Sequence, residues 1–486
     1  MSDSLLFYLS TTTLSYLFFK RNKNVGVIIS IFFFILSLID FICSIITGNH
    51  ITFLNLAKID FSTLKMGIII LPFFSLFVLL VICFISFTNY KIFYLKKESI
   101  EKKNKLFVIL LFLALVSFYL SETRVAYQNL IADYRKYMII QSYDVDEICK
   151  QLGAKAAIKT TLSSNIAQGK NLVMIYCESL ETNFYDQNQF PIEMTNLHNL
   201  QNQKWLLYNN YNTIIGSDWT FGALYATQTG LPCMFFNVQN SEANSIKKMP
   251  LTLAKVLKSA SYDNVFISAA NNRFANQGSM IEKCGYKIVE IKETISDYKE
   301  NEWGCHDYDL FRTAKIEYAS LSKSQKPFNL TLLTIDTHFP KGLPDKRLRE
   351  KIYKNINISD YEFALASLDF LIYDFIQFAK QQPNYDKTVF VIIGDHPVMG
   401  NSNETPVIKK FKKDKRTTFL MTNQKIKNKD KDSYIAFYDI PQLILELVNV
   451  QSHAEFGKQI FPSLSEQFIK DNYMWFFMLN QKVCSF

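Results

Sequence analysis

Apolar residues are concentrated in the first ~120 positions of the chain, where they form four uninterrupted segments. Two of them, Val25–Thr47 and Met66–Phe87, exceed the ~20 residues that an α-helix needs to cross a membrane. The other two, Ser4–Phe19 and Leu106–Leu120, have about 15 residues and are short for a crossing. Together the four segments predict a transmembrane domain with four helices over residues 1–121.

Basic residues orient these segments. The loop that begins with Lys20-Arg21 and the later loop NYKIFYLKKESIEKKNK are far more basic than the loop between them, NHITFLNLAKIDFSTLK. Basic loops stay in the cytoplasm, so the part of the chain after residue ~121 is expected outside it. The first segment lacks both a preceding basic region and a small-residue cleavage site, which favours a retained anchor over a signal peptide.

Two polar features of the chain leave alternatives open. Asp40 lies inside the second apolar segment, where an ionisable group is either functional or close enough to the outer leaflet to reach the interface. Six cysteines follow residue ~121, and an oxidising compartment permits disulfides. Spacing does not give their connectivity, and the pair Cys284 with Cys305 is the first to test.

The formal net charge of +9 does not indicate a nucleic-acid-binding protein. Such a protein needs basic and aromatic residues interleaved on one face and access to nucleic acid, and the predicted topology denies that access. The basic cluster from Lys409 to Arg416 is typical of a solvated loop, with contact to anionic lipid headgroups as the alternative.

The pattern changes after the apolar segments. Residues 122–165 are charged and helix-compatible, which predicts a helical connector. Strand-like runs then alternate with helical ones: NLVMIY, LTLAKVLKSA, NVFISA, FNLTLLTI, YEFALASLDFLIYDFIQFAK and TVFVIIG. This alternation predicts an α/β domain over residues 166–486, built on a mostly parallel sheet with helices on both faces.

Polar side chains end two of the predicted strands. Glu178 follows NLVMIYC, and Asp395 and His396 follow TVFVIIG. In open α/β sheets the carboxyl ends of the strands are the edge where ligands bind, so these three side chains are expected to converge there. Carboxylate oxygens and an imidazole are suitable ligands for Zn, Mn or Mg.

Two further residues suit transfer of a phosphate-type group. Thr220, in GSDWTFG, could begin a helix whose backbone N–H groups point at an anion. Neighbouring metal ligands could make its hydroxyl a nucleophile, whereas an isolated threonine there would be only a helix cap. His338, in TIDTHFP, is expected to close a strand and could donate to a phosphate oxygen or protonate a leaving alkoxide.

Six motifs in order resemble the phosphoglycerol transferase I and lipoteichoic acid synthase family, a membrane-bound branch of the alkaline phosphatase/sulfatase superfamily. The resemblance covers residues ~165 to ~450, and the predicted four-helix region fits the layout of that family. The motifs are NLVMIYCESLE, GSDWTFGALYATQTGLP, AANNRFANQG, NEWGCHDYDLF, LTIDTHFPKG and IIGDHPVM.

The resemblance implies roles for particular residues. Thr220 would be both a metal ligand and the nucleophile that becomes phosphoglycerylated, and the other implied metal ligands are Glu178, Asp395 and His396. The implied substrate-binding residues are Arg273 and His338 at the phosphoglyceryl group and Trp303 and Asp307 lining the pocket.

This chain departs from the family pattern at four positions. Cys177 precedes Glu178, Cys305 and His306 lie inside the tryptophan motif, and glycine rather than serine precedes Asp395. None of these departures removes an implied metal ligand, although His306 could change the preference for substrate or metal.

The resemblance implies an inner-membrane enzyme with a periplasmic catalytic domain. It would transfer phosphoglycerol from phosphatidylglycerol to a glycan with a divalent metal, most simply Mn, with Mg or Zn as alternatives. A phosphoethanolamine transferase acting on lipid A or a surface glycan is the main alternative. A phosphodiesterase or sulfatase fits less well, because sulfatases derive their nucleophile from Cys or Ser. A non-catalytic glycan-binding module would be expected to lack some of the ligands, and all are present.

Overall fold

The computed structural model describes residues 2–18, 23–47, 50–52, 112, 114–162, 169–234, 246–352, 358–400, 402–412 and 416–484. The chain divides into two compact units, one formed mainly by Met1–Tyr143 and the other beginning at Asp144. The boundaries predicted at residues 121 and 165 remain predictions.

The first unit is helical in the part described. Its helices are α1 (Ser2–Phe18), α2 (Lys23–Thr47) and α3 (Glu122–Ile140), and residues 114–120 are also helical. The Asp40 carboxylate of α2 is fully buried. It accepts hydrogen bonds from the Ile51 N–H at 2.8 Å, Thr123 Oγ1 at 2.6 Å, His50 Nδ1 at 2.8 Å and Ser4 Oγ at 3.1 Å.

The predicted membrane spans are not confirmed. Within the described ranges, no helix combines the length and the apolar character that a membrane crossing requires. The predicted span Met66–Phe87 lies outside the described residues, and Leu106–Leu120 is described only at 112 and 114–120.

The second unit contains a mostly parallel sheet, which confirms the predicted α/β class. In the described part its strands run in the order β2-β8-β7-β1-β6-β4-β5, and β3 pairs with β9 in a separate ribbon. Parallel pairing joins β7 to β1, β1 to β6, β6 to β4 and β4 to β5, whereas β8 is antiparallel to β7 and β2. The strands are β1 (Asn171–Cys177), β2 (Leu206–Leu207), β3 (Tyr211–Asn212), β4 (Asp263–Ser268), β5 (Lys287–Ile288), β6 (Phe328–Leu333), β7 (Thr388–Gly394), β8 (Leu420–Thr422) and β9 (Ile435–Ala436).

Helices surround this sheet in the described part of the second unit. They are α4 (Val145–Gln151), α5 (Thr195–Asn202), α6 (Thr220–Thr229), α7 (Leu253–Ser259), α8 (Gln277–Cys284), α9 (Ile291–Thr294), α10 (Asp307–Leu321), α11 (Lys346–Ile352), α12 (Asp360–Lys380), α13 (Ile440–Leu447), α14 (Glu466–Asp471) and α15 (Tyr473–Cys484).

One face of the sheet packs against α10 and α12 through an apolar core. Alternate residues of the central strands contribute to it, among them Ile175 of β1 and Ile392 of β7. The longer helix, α12, begins with a capping box in which Ser359 and Glu362 satisfy each other's backbone N–H. Central strands that are buried on both faces read as continuous apolar runs, which is why β1 and β7 were recognisable from the sequence.

The opposite face of the sheet carries a buried polar network beneath α6 and α7. The Tyr286 hydroxyl accepts hydrogen bonds from Asn329 Nδ2 at 3.1 Å, from Thr331 Oγ1 at 3.2 Å and from Gln228 Nε2 of α6 at 3.0 Å. Gln228 Oε1 in turn accepts from the backbone N–H of Ala254 in α7 at 3.2 Å. The network therefore ties both helices to the sheet.

The cysteine pair named as the first to test does not form a disulfide. Cys284 and Cys305 are both free thiols, as are the other cysteines within the described residues. Cys284 is fully buried at the end of α8, where burial raises the pKa of its thiol to about 12. Cys305 instead lines a surface cleft together with Trp303. The two thiols therefore lie in different surroundings.

Candidate active site

The two polar strand ends meet at one edge of the sheet. Strands β1 and β7 are parallel neighbours, and Cys177 lies directly opposite Gly394. The residues that follow them, Glu178, Asp395 and His396, are fully buried, and one ligand atom of each lies within 4.8 Å of the others. The expected convergence of these three side chains is confirmed.

Close backbone packing explains the glycine before Asp395. A Cβ atom at Gly394 would lie 1.9 Å from the carbonyl oxygen of Leu180, so no side chain fits there. Ser179, the residue after Glu178, has a φ of 54°, a left-handed conformation that is strained for a residue other than glycine. In that conformation its N–H donates to Asp395 Oδ1 at 2.8 Å and joins the two strand ends.

Thr220 is the first residue of α6, as the sequence suggested. Its hydroxyl donates to Glu178 Oε2 at 3.2 Å and lies 3.4 Å from His396 Nε2. Gly222, two residues later, allows the start of α6 to pack against the segment that precedes it. A Cβ atom there would lie 2.7 Å from the carbonyl oxygen of Gly216. The start of the helix therefore places a hydroxyl oxygen against the carboxylate and the imidazole.

Burial and like charge raise the pKa of Asp395 to about 7, because the neighbouring Glu178 carboxylate disfavours a second negative charge. Asp395 Oδ1 accepts from the N–H groups of Ser179 and His396, each at 2.8 Å. Its Oδ2 is buried and has no hydrogen-bond partner among the described residues. Burial lowers the pKa of His396, but the charges of Asp395 and Glu178 outweigh it and raise that pKa.

These groups fit a divalent cation. A buried carboxylate oxygen without a hydrogen-bond donor is costly unless a ligand occupies the space beside it. His396 Nδ1 donates to the Pro397 carbonyl at 2.9 Å, so Nε2 is the nitrogen left for a metal. Two carboxylates, one imidazole and the Thr220 hydroxyl match the donors that Mn, Zn and Mg take in proteins.

A second group of predicted residues lies beside the strand ends. The His338 ring stacks on Trp303, with the ring centroids 4.4 Å apart. Burial lowers the pKa of His338, and the positive charge of His396 lowers it further. Trp303 and Arg273 both line the surface cleft, and the Arg273 side chain has no hydrogen-bond partner in the part of the chain described.

The region from β1 to α13 matches a known family. Residues 170–450 match the family model described as Sulfatase. The chain belongs to the sulfatase family. Phosphoglycerol transferase I from Salmonella arizonae and from Escherichia coli is 31% identical to it over 240 residues. Each match covers 48% of this chain and 31% of the relative, so the chain spans about a third of the length of the curated relatives it matches.

A solved structure supports the fold of this sulfatase-family domain. The lipoteichoic acid synthase LtaP from Listeria monocytogenes superposes with a TM-score of 0.50 at 16% sequence identity. The superposition covers 67% of this chain and 82% of that one. At this identity the likeness shows the fold alone. The predicted membership of the sulfatase superfamily and the predicted similarity to phosphoglycerol transferase I are confirmed by the family match and by these relatives.

Two of the predicted site residues do not lie where the sequence placed them. His338 does not close a strand, because β6 ends at Leu333 and four residues lie between the two. Asp307 is buried at the first position of α10 and is not among the residues that line the cleft. Its carboxylate accepts from the N–H groups of Ile335 at 2.8 Å and Asp336 at 3.2 Å. Its proposed contact with substrate stays a prediction.

Several supporting residues were missed from the sequence. Thr337 Oγ1 donates to the Glu178 carbonyl at 2.5 Å and holds the β6 loop against the end of β1. Asp336 accepts from His306 Nδ1 and from Asn301 Nδ2, each at 2.9 Å. Asp336 and Thr337 stand directly before His338 in TIDTHFP, so their place in that motif was the available signal.

Arg416 corrects the interpretation of the basic cluster as a solvated loop. Its side chain is only 27% exposed, and Nε donates to both oxygens of the buried Glu181 at 3.1 and 3.0 Å. The Val398 N–H also donates to Glu181, and the Val398 carbonyl accepts from Arg416 at 2.6 Å. The pair therefore braces the segments that follow Glu178 and His396.

Proposed function

We propose that this chain transfers a phosphoglycerol group from phosphatidylglycerol to a hydroxyl of an extracytoplasmic glycan. The observation that carries the proposal is the position of the Thr220 hydroxyl, which begins a helix and lies 3.2 Å from Glu178 and 3.4 Å from His396. A threonine with these neighbours suits covalent catalysis in two displacements. The reaction is proposed at the periplasmic face of the inner membrane, where donor and acceptor are both available.

The first displacement forms a phosphoglyceryl-threonine. The Thr220 oxygen attacks phosphorus, a new phosphorus–oxygen bond forms, and the bond to the diacylglycerol oxygen breaks. The hydrogen bond from Thr220 to Glu178 Oε2 orients the hydroxyl and gives its proton an acceptor. The diacylglycerol oxygen takes up a proton as it leaves. His338, which stacks on Trp303 beside the strand ends, is the residue proposed to supply it from its protonated imidazole.

The second displacement releases the group to the glycan. A glycan hydroxyl oxygen attacks phosphorus from the side opposite Thr220 while His338 takes up its proton, the bond to Thr220 breaks, and the proton held by Glu178 returns to the threonine oxygen. Each displacement exchanges one ester for another, so no water is consumed. Water must therefore be kept from the intermediate, and the burial of Glu178, Asp395 and His396 supports that exclusion.

Glu178, Asp395, His396 and Thr220 are the residues proposed to hold a divalent metal ion, most simply Mn, with Mg or Zn as alternatives. When bound, such an ion lowers the pKa of a hydroxyl and neutralises negative charge on phosphoryl oxygens. The Arg273 guanidinium, which has no hydrogen-bond partner among the described residues, is proposed to contact the non-bridging phosphate oxygens.

The first experiment tests donor, nucleophile and reaction class together. The purified chain would be incubated with headgroup-labelled phosphatidylglycerol and Mn²⁺, with and without a chelator, and its peptides analysed by mass spectrometry. We expect a metal-dependent phosphoglyceryl adduct on Thr220 and none in Thr220→Ala. An adduct only with labelled phosphatidylethanolamine would assign the chain to phosphoethanolamine transfer instead. Normal turnover in Thr220→Ala would refute the covalent mechanism.

A further inference from the structure

A polar cleft opens beside the proposed phosphotransfer centre. Its volume is about 560 Å³, which falls within the range of small-molecule binding sites. Trp303 connects the two places, since its ring lines the cleft and also stacks on His338 at 4.4 Å. The cleft is also lined by Asn272, Arg273, Glu290, Lys292, Glu300 and Glu302.

An exposed aromatic ring packs on Trp303, one of the residues that line this cleft. Phe274 is 42% exposed, and its ring lies edge-to-face with Trp303 at a centroid distance of 5.9 Å and an angle of 89°. The two residues after it, Ala275 and Asn276, both have positive φ values, 51° and 53°. Such strain in residues other than glycine persists only where the surroundings impose it. The turn therefore holds an apolar ring beside the cleft.

The residues that line the cleft include paired acceptors and donors. Glu290 Oε1 accepts from Asn272 Nδ2 at 3.0 Å, while Asn272 Oδ1 is buried without a hydrogen-bond partner in the described ranges. Glu300 forms an ion pair with Lys292. Carboxylate groups accept hydrogen bonds from the hydroxyls of a sugar ring, and amide groups both accept and donate them. An aromatic ring packs against the C–H face of the sugar.

The charges of the cleft disfavour an anionic ligand outside the reach of Arg273. Three carboxylates line it, those of Glu290, Glu300 and Glu302, against the two cations Arg273 and Lys292. Lys292 is already paired with Glu300, so Arg273 is the remaining cation and is proposed for the phosphate. The rest of the cleft therefore suits a neutral molecule that is rich in hydroxyl groups.

We infer that this cleft binds a neutral sugar unit of the acceptor glycan, with Phe274 and Trp303 against the sugar ring and Glu290 and Asn272 at its hydroxyls. The inference rests on the proposed function, since it names the place from which the acceptor reaches Thr220. It gives Phe274 a role that neither the motifs nor the strand ends indicated.

The test separates the two half-reactions. The purified chain, loaded with labelled phosphatidylglycerol and Mn²⁺, would receive either glycerol or neutral glucose oligosaccharides with β-1,2, β-1,3 or β-1,4 linkages. The readout is the rate at which label leaves Thr220 for each acceptor. We expect the label to be transferred to at least one oligosaccharide faster than to glycerol. In Phe274→Ala the ratio of oligosaccharide to glycerol transfer should fall about tenfold through a higher KM, the effect of losing one ring contact.

Ile316→Ala is the matched control, because Ile316 is also a large exposed apolar side chain but lies on α10 outside the cleft. It should keep the wild-type ratio. An unchanged ratio in Phe274→Ala would overturn the inference, as would faster transfer to a glucosamine oligosaccharide than to every neutral one. A Phe274→Ala defect confined to adduct formation would place the donor headgroup in the cleft and also overturn it. Absence of any adduct in the wild-type chain would instead refute the proposed function.

Discussion

Two buried acidic clusters lie at the carboxyl ends of the strands, and they differ in how their oxygens are satisfied. The first, here called the open cluster, comprises Glu178, Asp395 and His396. The second, the closed cluster, comprises Asp307, Asp336 and His306. In both, burial and a neighbouring carboxylate raise the pKa of an aspartate, Asp395 in one and Asp307 in the other.

The hydrogen bonds distinguish the two clusters. Both oxygens of Asp307 accept backbone N–H groups, and both oxygens of Asp336 accept donors from the segment 301–307. In the open cluster, Asp395 Oδ2 has no hydrogen-bond partner among the described residues. A cluster in which every carboxylate oxygen has a hydrogen-bond donor holds loops together. A cluster with an oxygen that lacks a donor can bind a ligand through that oxygen. Burial and perturbed pKa values alone would not have separated the two.

The largest effect is expected at the hydroxyl that the open cluster holds. Thr220→Ala should lower phosphotransfer by at least about a thousandfold, because the nucleophilic oxygen is lost. Thr220→Ser keeps that oxygen and should retain measurable activity. Single-turnover transfer of label from phosphatidylglycerol measures both variants. Equal activity of the alanine and serine variants would show that the hydroxyl is not the reacting group.

Metal binding should stabilise the open cluster. At a Mn²⁺ concentration about 100 times its Kd, the free energy of unfolding should rise by about 2.7 kcal/mol, and a chelator should reverse the change. Asp395→Asn should abolish most of this response, since it removes the negative charge of the carboxylate whose Oδ2 has no hydrogen-bond partner among the described residues. Thermal unfolding with and without Mn²⁺ measures it. A full response in Asp395→Asn would mean that the ion binds elsewhere.

Substitution in the closed cluster should lower the free energy of unfolding. Asp307→Asn leaves one carbonyl oxygen for two backbone N–H groups, so the free energy of unfolding should fall by about 1–3 kcal/mol. Urea unfolding measures the difference. Asp297→Asn is the control, because Asp297 is an exposed aspartate whose one ion pair in the described part of the chain is with Arg312, and it should change little. An equally stable Asp307→Asn would contradict the structural role of this cluster.

The smallest expected effect is the pH dependence of the closed cluster. Burial lowers the pKa of His306, but its hydrogen bond to Asp336 and the charges of Asp336 and Asp345 outweigh burial and the opposing Arg347, so the pKa is raised. The protonated imidazole therefore adds stability below its unfolded pKa of about 6.5, and that stability is lost as the pH rises through the raised value. Urea unfolding of wild type and His306→Gln from pH 5 to 9 should show a gap that narrows with pH. A constant gap would exclude this titration.

The sequence predicted the open cluster well because its geometry follows from local pattern. Seven-residue buried strands β1 and β7 appear as apolar runs, parallel strands align their carboxyl ends, and the residues at those ends then meet. The start of α6 at Thr220 also follows from local residues. These predictions required no knowledge of how distant loops fold.

What the sequence did not predict depends on loops far apart in the chain. Glu181 and Arg416 are 235 positions apart, and nothing local marks either as buried. Asp307 was expected to line the pocket. It lies at the start of α10, and the N–H groups that donate to its carboxylate come from the loop after β6. The pair Cys284 and Cys305, named only as the first to test, is not bonded, and the spacing of thiols carries no information about the surroundings of each one.

The polar network around Tyr286 fixes the position of α6 and therefore that of Thr220, the proposed nucleophile. Gln228 is fixed to Tyr286 and to the Ala254 N–H, and it lies eight residues after Thr220 on the same helix. Eight residues of α-helix span about 12 Å, and a slip of one residue would turn Thr220 by about 100° about the helix axis. In the proposed reaction, an amide at one end of the helix would thus set the direction from which an oxygen at the other end meets phosphorus.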